Sequence, residues 1–203
     1  MTPSNEVQLP FIVPGAEDLF AQFDREELFQ SKNTCIGLDR DLRMVLLNPA
    51  YYNFARANNG SHILDQFGLG APLLDAIEGG QRQFYEDLLR GAMAAQSVKH
   101  FDYECSSPTE YRVFRMIIYP VADGRGLLTE HAVSTIAPHD RPGATFDPGA
   151  YVDSDGIVHL CGHCRRVRHL THDRWDWCPE AMNHQDLTHG LCNLCLDFYH
   201  PAR

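Results

Sequence analysis

The chain has 203 residues, a formal net charge of -10, 44% apolar residues and 22% charged residues, which is a globular composition with room for one ordinary domain and a small one. No apolar run approaches the roughly 20 residues of a membrane-crossing helix. Residues 1–150 carry 12 Lys+Arg against 20 Asp+Glu and residues 151–203 carry 5 against 7, so the main body is acidic, repels phosphate backbones and argues against nucleic acid as its main partner.

In chain order, residues 1–15 hold Pro3, Pro10 and Pro14 without periodicity and predict an extended N-terminus. From Ala16 to about Gln30, Leu19, Phe20, Phe23, Leu28 and Phe29 recur at helical spacing among acidic residues. They predict one helix whose apolar stripe packs on the core or pairs two copies of the chain. The runs Thr34–Asp39 and Arg43–Leu47 predict two strands joined by a tight turn. Asn48 is suited to cap a following helix and Pro49 to open it, because proline lacks an N–H that would be unpaired there.

Residues 61–79 predict short helical pieces broken by Gly68, Gly70 and Pro72. Gln81 to Ala95 predicts a longer helix burying Phe84, Leu88, Leu89 and Met93. Three strands follow at 98–104, 111–121 and 127–134, separated by the turn formers Ser106-Ser-Pro108 and Asp123-Gly-Arg-Gly126. Residues 138–152, with Pro138, Pro142, Pro148, Gly143 and Gly149 in or near them, predict a linker.

Beyond it the composition changes. Residues 153–203 contain seven of the eleven histidines, both tryptophans and five of the seven cysteines, which marks a second domain. Cys161-Gly-His-Cys164 and Cys192-Asn-Leu-Cys195 form two C-x-x-C pairs. Each pair converges two thiolates from one turn, and together they supply the four soft ligands of a tetrahedral metal site. The tetrathiolate suits zinc or iron; one zinc per chain is expected.

Ile157–Cys161 predicts a strand leading into the first pair and Arg165–His169 its return, a hairpin with a zinc knuckle at its tip. Cys192 and Cys195 share one face if a helix starts there. Knuckle, hairpin and helix describe a small treble-clef-like module. His163, Cys178 and His189 are reserve ligands should one cysteine not serve. The start Met-Thr-Pro-Ser-Asn lacks a basic, apolar leader, so a cytoplasmic setting with reduced thiols is expected.

The element order β-β-α-α-α-β-β-β behind an amphipathic helix resembles a PAS domain. The likeness is carried by Gly37-Leu-Asp39 at the end of the first strand, Asn48-Pro49-Ala50 after the second, a long helix before the third and a glycine-containing turn before the last. It covers residues 16–137. It implies a fold of the α+β class, with a five-stranded antiparallel sheet and flanking helices. Residues 157–201, from Cys161-x-x-Cys164-Arg-Arg-Val-Arg168 through Trp175 to Thr188-His-Gly-Leu-Cys192-x-x-Cys195 and Tyr199-His-Pro201, are similar to a C-terminal cysteine module of PAS-containing bacterial signalling proteins. That resemblance implies a regulatory setting.

The expected function is therefore a cytoplasmic sensor or adaptor. Its PAS-like domain binds a ligand or partner, and its structural zinc module makes protein contacts, either with another signalling protein or with a second copy through the N-terminal helix and sheet. The residues leave open whether the interior takes haem, flavin, a small metabolite or nothing; His62, His100 and His131 are the conceivable haem ligands, and Cys35 and Cys105 read as packing residues. Two alternatives stand beside this: nucleic-acid binding through Arg165, Arg166 and Arg168, and a thiol redox switch that expels the metal. No enzyme is expected, because four thiolates leave no open position for water and no His-Glu-x-x-His occurs.

Overall fold

The computed structural model describes residues 11–58, 60–61, 64–77, 79–107, 109–139 and 141–199. Helix α1 (Arg25–Gln30), strands β1 (Thr34–Asp39) and β2 (Met44–Leu47), and helices α2 (Pro49–Ala57) and α3 (Gly79–Ala95) lead to β3 (Lys99–Glu104), β4 (Glu110–Val121) and β5 (Gly126–Pro138). Helix α4 (Pro148–Tyr151) then precedes β6 (Val158–Cys161), β7 (Val167–Arg168), β8 (Trp175–Asp176), β9 (Leu187–Gly190) and helix α5 (Asn193–Tyr199). The first five strands form an antiparallel sheet in the order β2-β1-β5-β4-β3, and the last four a sheet in the order β8-β7-β6-β9. The class is α+β, as the sequence predicts. The chain divides into two compact units, Met1–Leu73 with Ala92–Val98 and Ile118–Glu130, and Leu74–Gly91 with Lys99–Ile117 and His131–Arg203.

In the first unit β1 and β2 are apolar and almost wholly buried, so each needs cover on both faces. Their hairpin pairs Ile36 with Leu47 and Leu38 with Met44, with a bulge between Gly37 and Leu38. Asp39 closes the turn by accepting from the backbone N–H groups of Asp41 and Arg43, both at 2.9 Å. Gly37 has to be glycine for reasons of space, since a Cβ there would collide with the Phe20 ring.

The single helix expected from Ala16 to Gln30 is two pieces, a 3-10 turn at Glu17–Phe20 and α1. The break falls at Asp24, whose backbone is extended and whose carboxylate accepts from Glu27 N–H at 3.0 Å. A side chain able to cap restarts the helix there. Ala16, Phe20, Phe23 and Leu28 pack against Val45, Leu46, Val121 and Leu128 of the same unit, so the stripe serves the core.

Asn48 holds this unit together. It is fully buried, and its Oδ1 accepts from Tyr51 N–H at the start of α2 and from Cys35 N–H at 3.0 Å. Its Nδ2 donates to the carbonyls of Asn33, Leu28 and Ser31. One carboxamide therefore caps α2 and ties β1 to the end of α1.

In the second unit an aromatic stack joins α3 to the sheet, with Phe84 and Phe101 at 5.4 Å and Tyr103 and Phe114 at 5.7 Å between ring centroids. The Tyr103 hydroxyl lies 2.8 Å from His131 Nδ1. The cysteine-rich part has its own apolar cluster of Tyr151, Val158, Leu160, Val167, Cys178 and Ala181. Tyr151 belongs to α4, inside the segment expected as a linker. Among the described residues no helix is long and apolar enough to cross a membrane.

Candidate metal centre

Strand β6 alternates Val158 and Leu160 into the apolar cluster and ends at Cys161. It pairs antiparallel with β7, as the predicted hairpin requires, and parallel with β9. The parallel pairing sets Cys161 opposite Gly190, and Gly162 N–H donates to the Gly190 carbonyl at 2.9 Å. Two parallel strands finish at the same end, so the cysteine pair that follows each arrives at one place.

The first pair turns tightly. Arg165 N–H donates to the Cys161 carbonyl at 2.9 Å and Cys161 N–H to the Arg166 carbonyl at 2.7 Å. The second pair straddles the start of α5, with Leu196 N–H donating to the Cys192 carbonyl at 2.9 Å. This brings the Sγ atoms of Cys161, Cys164, Cys192 and Cys195 within 4.8 Å of one another, all four residues being buried. Four buried cysteines are thus positioned to bind a metal ion.

The Cys164 and Cys192 sulfurs are 3.6 Å apart. Two sulfurs tetrahedrally bound to zinc at about 2.3 Å stand about 3.8 Å apart, whereas a disulfide holds them at about 2.05 Å. All seven cysteines of the chain are free thiols. The spacing and the donor chemistry fit a closed tetrathiolate site for zinc, and iron shares that preference.

Electrostatics point the same way. Cys161 is held well below the usual thiol range, because the Cys164 and Cys192 thiols and the Cys192 N–H all donate to its sulfur. Cys164 is pushed up by the same shared hydrogen bonds. Burial and then the charge at Cys161 push Cys195 up to about 12. Four sulfurs this close cannot all ionise without a cation among them, and a divalent ion supplies that charge.

None of the reserve ligands joins the set. Cys178 lies in the apolar cluster beneath β6. The His163 ring meets Phe101 edge-on at 5.6 Å, and His189 Nε2 faces Arg165 Nη1 at 3.0 Å. Burial, with the nearby Arg165 charge, holds His189 neutral down to about 4. That contact also turns one of the three arginines expected at a nucleic-acid surface toward the interior.

The candidate haem ligands are His62, His100 and His131. His62 lies outside the described residues, His100 is exposed on β3, and His131 is engaged with Tyr103. Burial pulls His131 down to about 4 and pushes the Tyr103 phenol well up, so the bond joins two neutral groups at pH 7. Cys35 is buried and raised to about 11 by its burial, as a packing residue would be. The Tyr103–His131 pair was not legible in the sequence, since its members stand on different strands and neither sits in a motif.

No protein-family model matches the chain. No curated protein matches it. Among solved structures it is similar to one described as the phage VqmA–DPO complex, at 14% identity and a TM-score of 0.40, over 54% of this chain and 50% of that one.

Proposed function

We propose that this chain is a cytoplasmic, non-enzymatic regulatory protein, in which a PAS-like domain receives a ligand or partner and a four-cysteine zinc module makes contacts with other proteins. The observation that carries the reading is the convergence of four buried sulfurs from two parallel strand ends. Such a site is closed: its four ligands fill a tetrahedron, leaving no place for the water that a catalytic zinc keeps. Its role is to fix the cysteine turns of a small domain whose apolar cluster is built from other residues. The PAS-like half of the reading is supported by the five-stranded antiparallel sheet and by helices α2 and α3 between its second and third strands.

Native mass spectrometry and an absorption spectrum of protein isolated without added metal test this together. The expected result is one zinc per chain and no visible band. A haem or flavin band moves the sensing chemistry to a coloured cofactor, and a mass equal to the bare chain removes the metal half of the reading.

A further inference from the structure

Three elements of the second unit close on the Cys161–Cys164 turn. From α3, the buried Gln81 carboxamide stands where a Cβ on Gly162 would have to go. From β3, Phe101 covers His163. The third is Arg141, which follows β5. Its Nη1 donates to the Cys164 carbonyl at 3.4 Å, and its Nη2 donates to Glu104 Oε2, at the end of β3, at 3.1 Å.

The guanidinium also lies over two rings, 5.3 Å from the Tyr111 centroid and 5.5 Å from that of Trp177. The Arg141 and Glu104 side chains are 27% and 12% exposed. Ser106 Oγ donates to the other carboxylate oxygen of Glu104 at 2.7 Å. His139 packs against Trp177 at 4.0 Å between centroids and bonds the Ser107 carbonyl through Nε2 at 3.0 Å. Only a planar, forked cation can face two rings and still reach a carboxylate and a carbonyl in two directions.

We infer that Arg141 is a positioning residue for the metal centre, and that it couples metal occupancy to the order of β3. The inference rests on the proposed metal site. The main chain of Cys164 is one end of the bracket and the last residue of β3 is the other, so a knuckle held in place by a metal also holds the strand edge. Loss of the metal frees the turn and loosens Glu104 through the same side chain. Outer-shell partners of this kind change metal retention although they never touch the ion.

The test uses the full chain loaded with zinc or cobalt(II), as wild type, Arg141→Gln and Arg141→Lys. In the wild type, removing the metal speeds amide hydrogen exchange in β3. Arg141→Gln still takes up one metal, yields it to a chelator about 10- to 100-fold faster, and makes β3 exchange the same with and without metal. Its cobalt(II) ligand-field bands shift, because Cys164 is no longer held by its carbonyl.

Arg141→Lys keeps the charge opposite Glu104 but not the fork, and it recovers only part of the retention. It carries the test alone if Arg141→Gln does not fold. Variants that hold metal as tightly as the wild type, with β3 exchange still responding to it, overturn the inference and leave the metal site standing. A wild-type chain that takes up no metal overturns both, and metal content alone reads that outcome.

Discussion

Arg165, the residue after the first cysteine pair, places Nη1 3.0 Å from Nε2 of His189, three residues ahead of the second pair. This contact joins the two segments that carry the four clustered cysteines. Arg165 makes it from a left-handed backbone, with φ at 60°. A side chain is disfavoured in that region and a β-branched one most of all.

Arg165→Gly therefore relieves the backbone while losing the link to His189, and leaves stability close to that of the wild type. Arg165→Val loses the same link and adds strain of about 1–3 kcal/mol. Denaturant unfolding of the metal-loaded variants checks this. Equal stability of the two variants would show that the turn carries no conformational demand.

Asn48 offers a sharper test of the first unit. Asn48→Asp keeps the acceptor for Cys35 and Tyr51 but turns a donor toward the carbonyls of Asn33, Leu28 and Ser31 into a negative oxygen. The expected loss is about 3 kcal/mol at neutral pH, easing in acid as the carboxyl protonates. Thermal unfolding across pH reads both. A variant as stable as the wild type would contradict the bonding described.

These elements also show how far the sequence reaches. Strands β1 and β2, the Asn48 cap, helix α3 and strands β3 to β5 are legible because each is a local pattern of apolar residues closed by a turn or cap. The four cysteines are legible because two C-x-x-C pairs are a spacing that suits metal ligation. The single N-terminal helix failed because Asp24 caps a new one. Strand β9 carries no such local pattern: Leu187-Thr-His-Gly190 is four residues without alternation, and its partner β6 is distant in sequence. The Arg141 bracket is invisible for the same reason, since only folding brings Glu104, Arg141 and Cys164 together.

His131 sets an acid limit. Its pKa in the folded chain is lowered from 6.5 to about 4 by burial, so the unfolded chain binds that proton first. Its contribution is complete above about pH 6.5 and is lost as the pH falls toward 4. His131→Gln keeps a hydrogen-bonding partner for Tyr103 without the titration. The gap in stability between variant and wild type should move in favour of the variant over that interval. A gap that does not change with pH would remove His131 as the cause.

Metal uptake should release protons. Cys164 and Cys195 are pushed up in pKa and carry their protons at neutral pH, and both must give them up to coordinate. About two or more protons should leave per ion, and affinity should fall as the pH falls. Calorimetry of zinc binding in buffers of different ionisation enthalpy counts them. Proton-free binding would mean that the ion sits elsewhere.

One structural metal ion held by Cys161, Cys164, Cys192 and Cys195, as proposed, is tested by metal content and unfolding of the wild type beside Cys161→Ser and Cys192→Ser. The expected result is one zinc per wild-type chain, loss of that zinc in both variants, and an apparent unfolding temperature that drops when a chelator strips the wild type. A wild-type chain that is folded without metal, exposes the four thiols to a thiol reagent and ignores the chelator would contradict it.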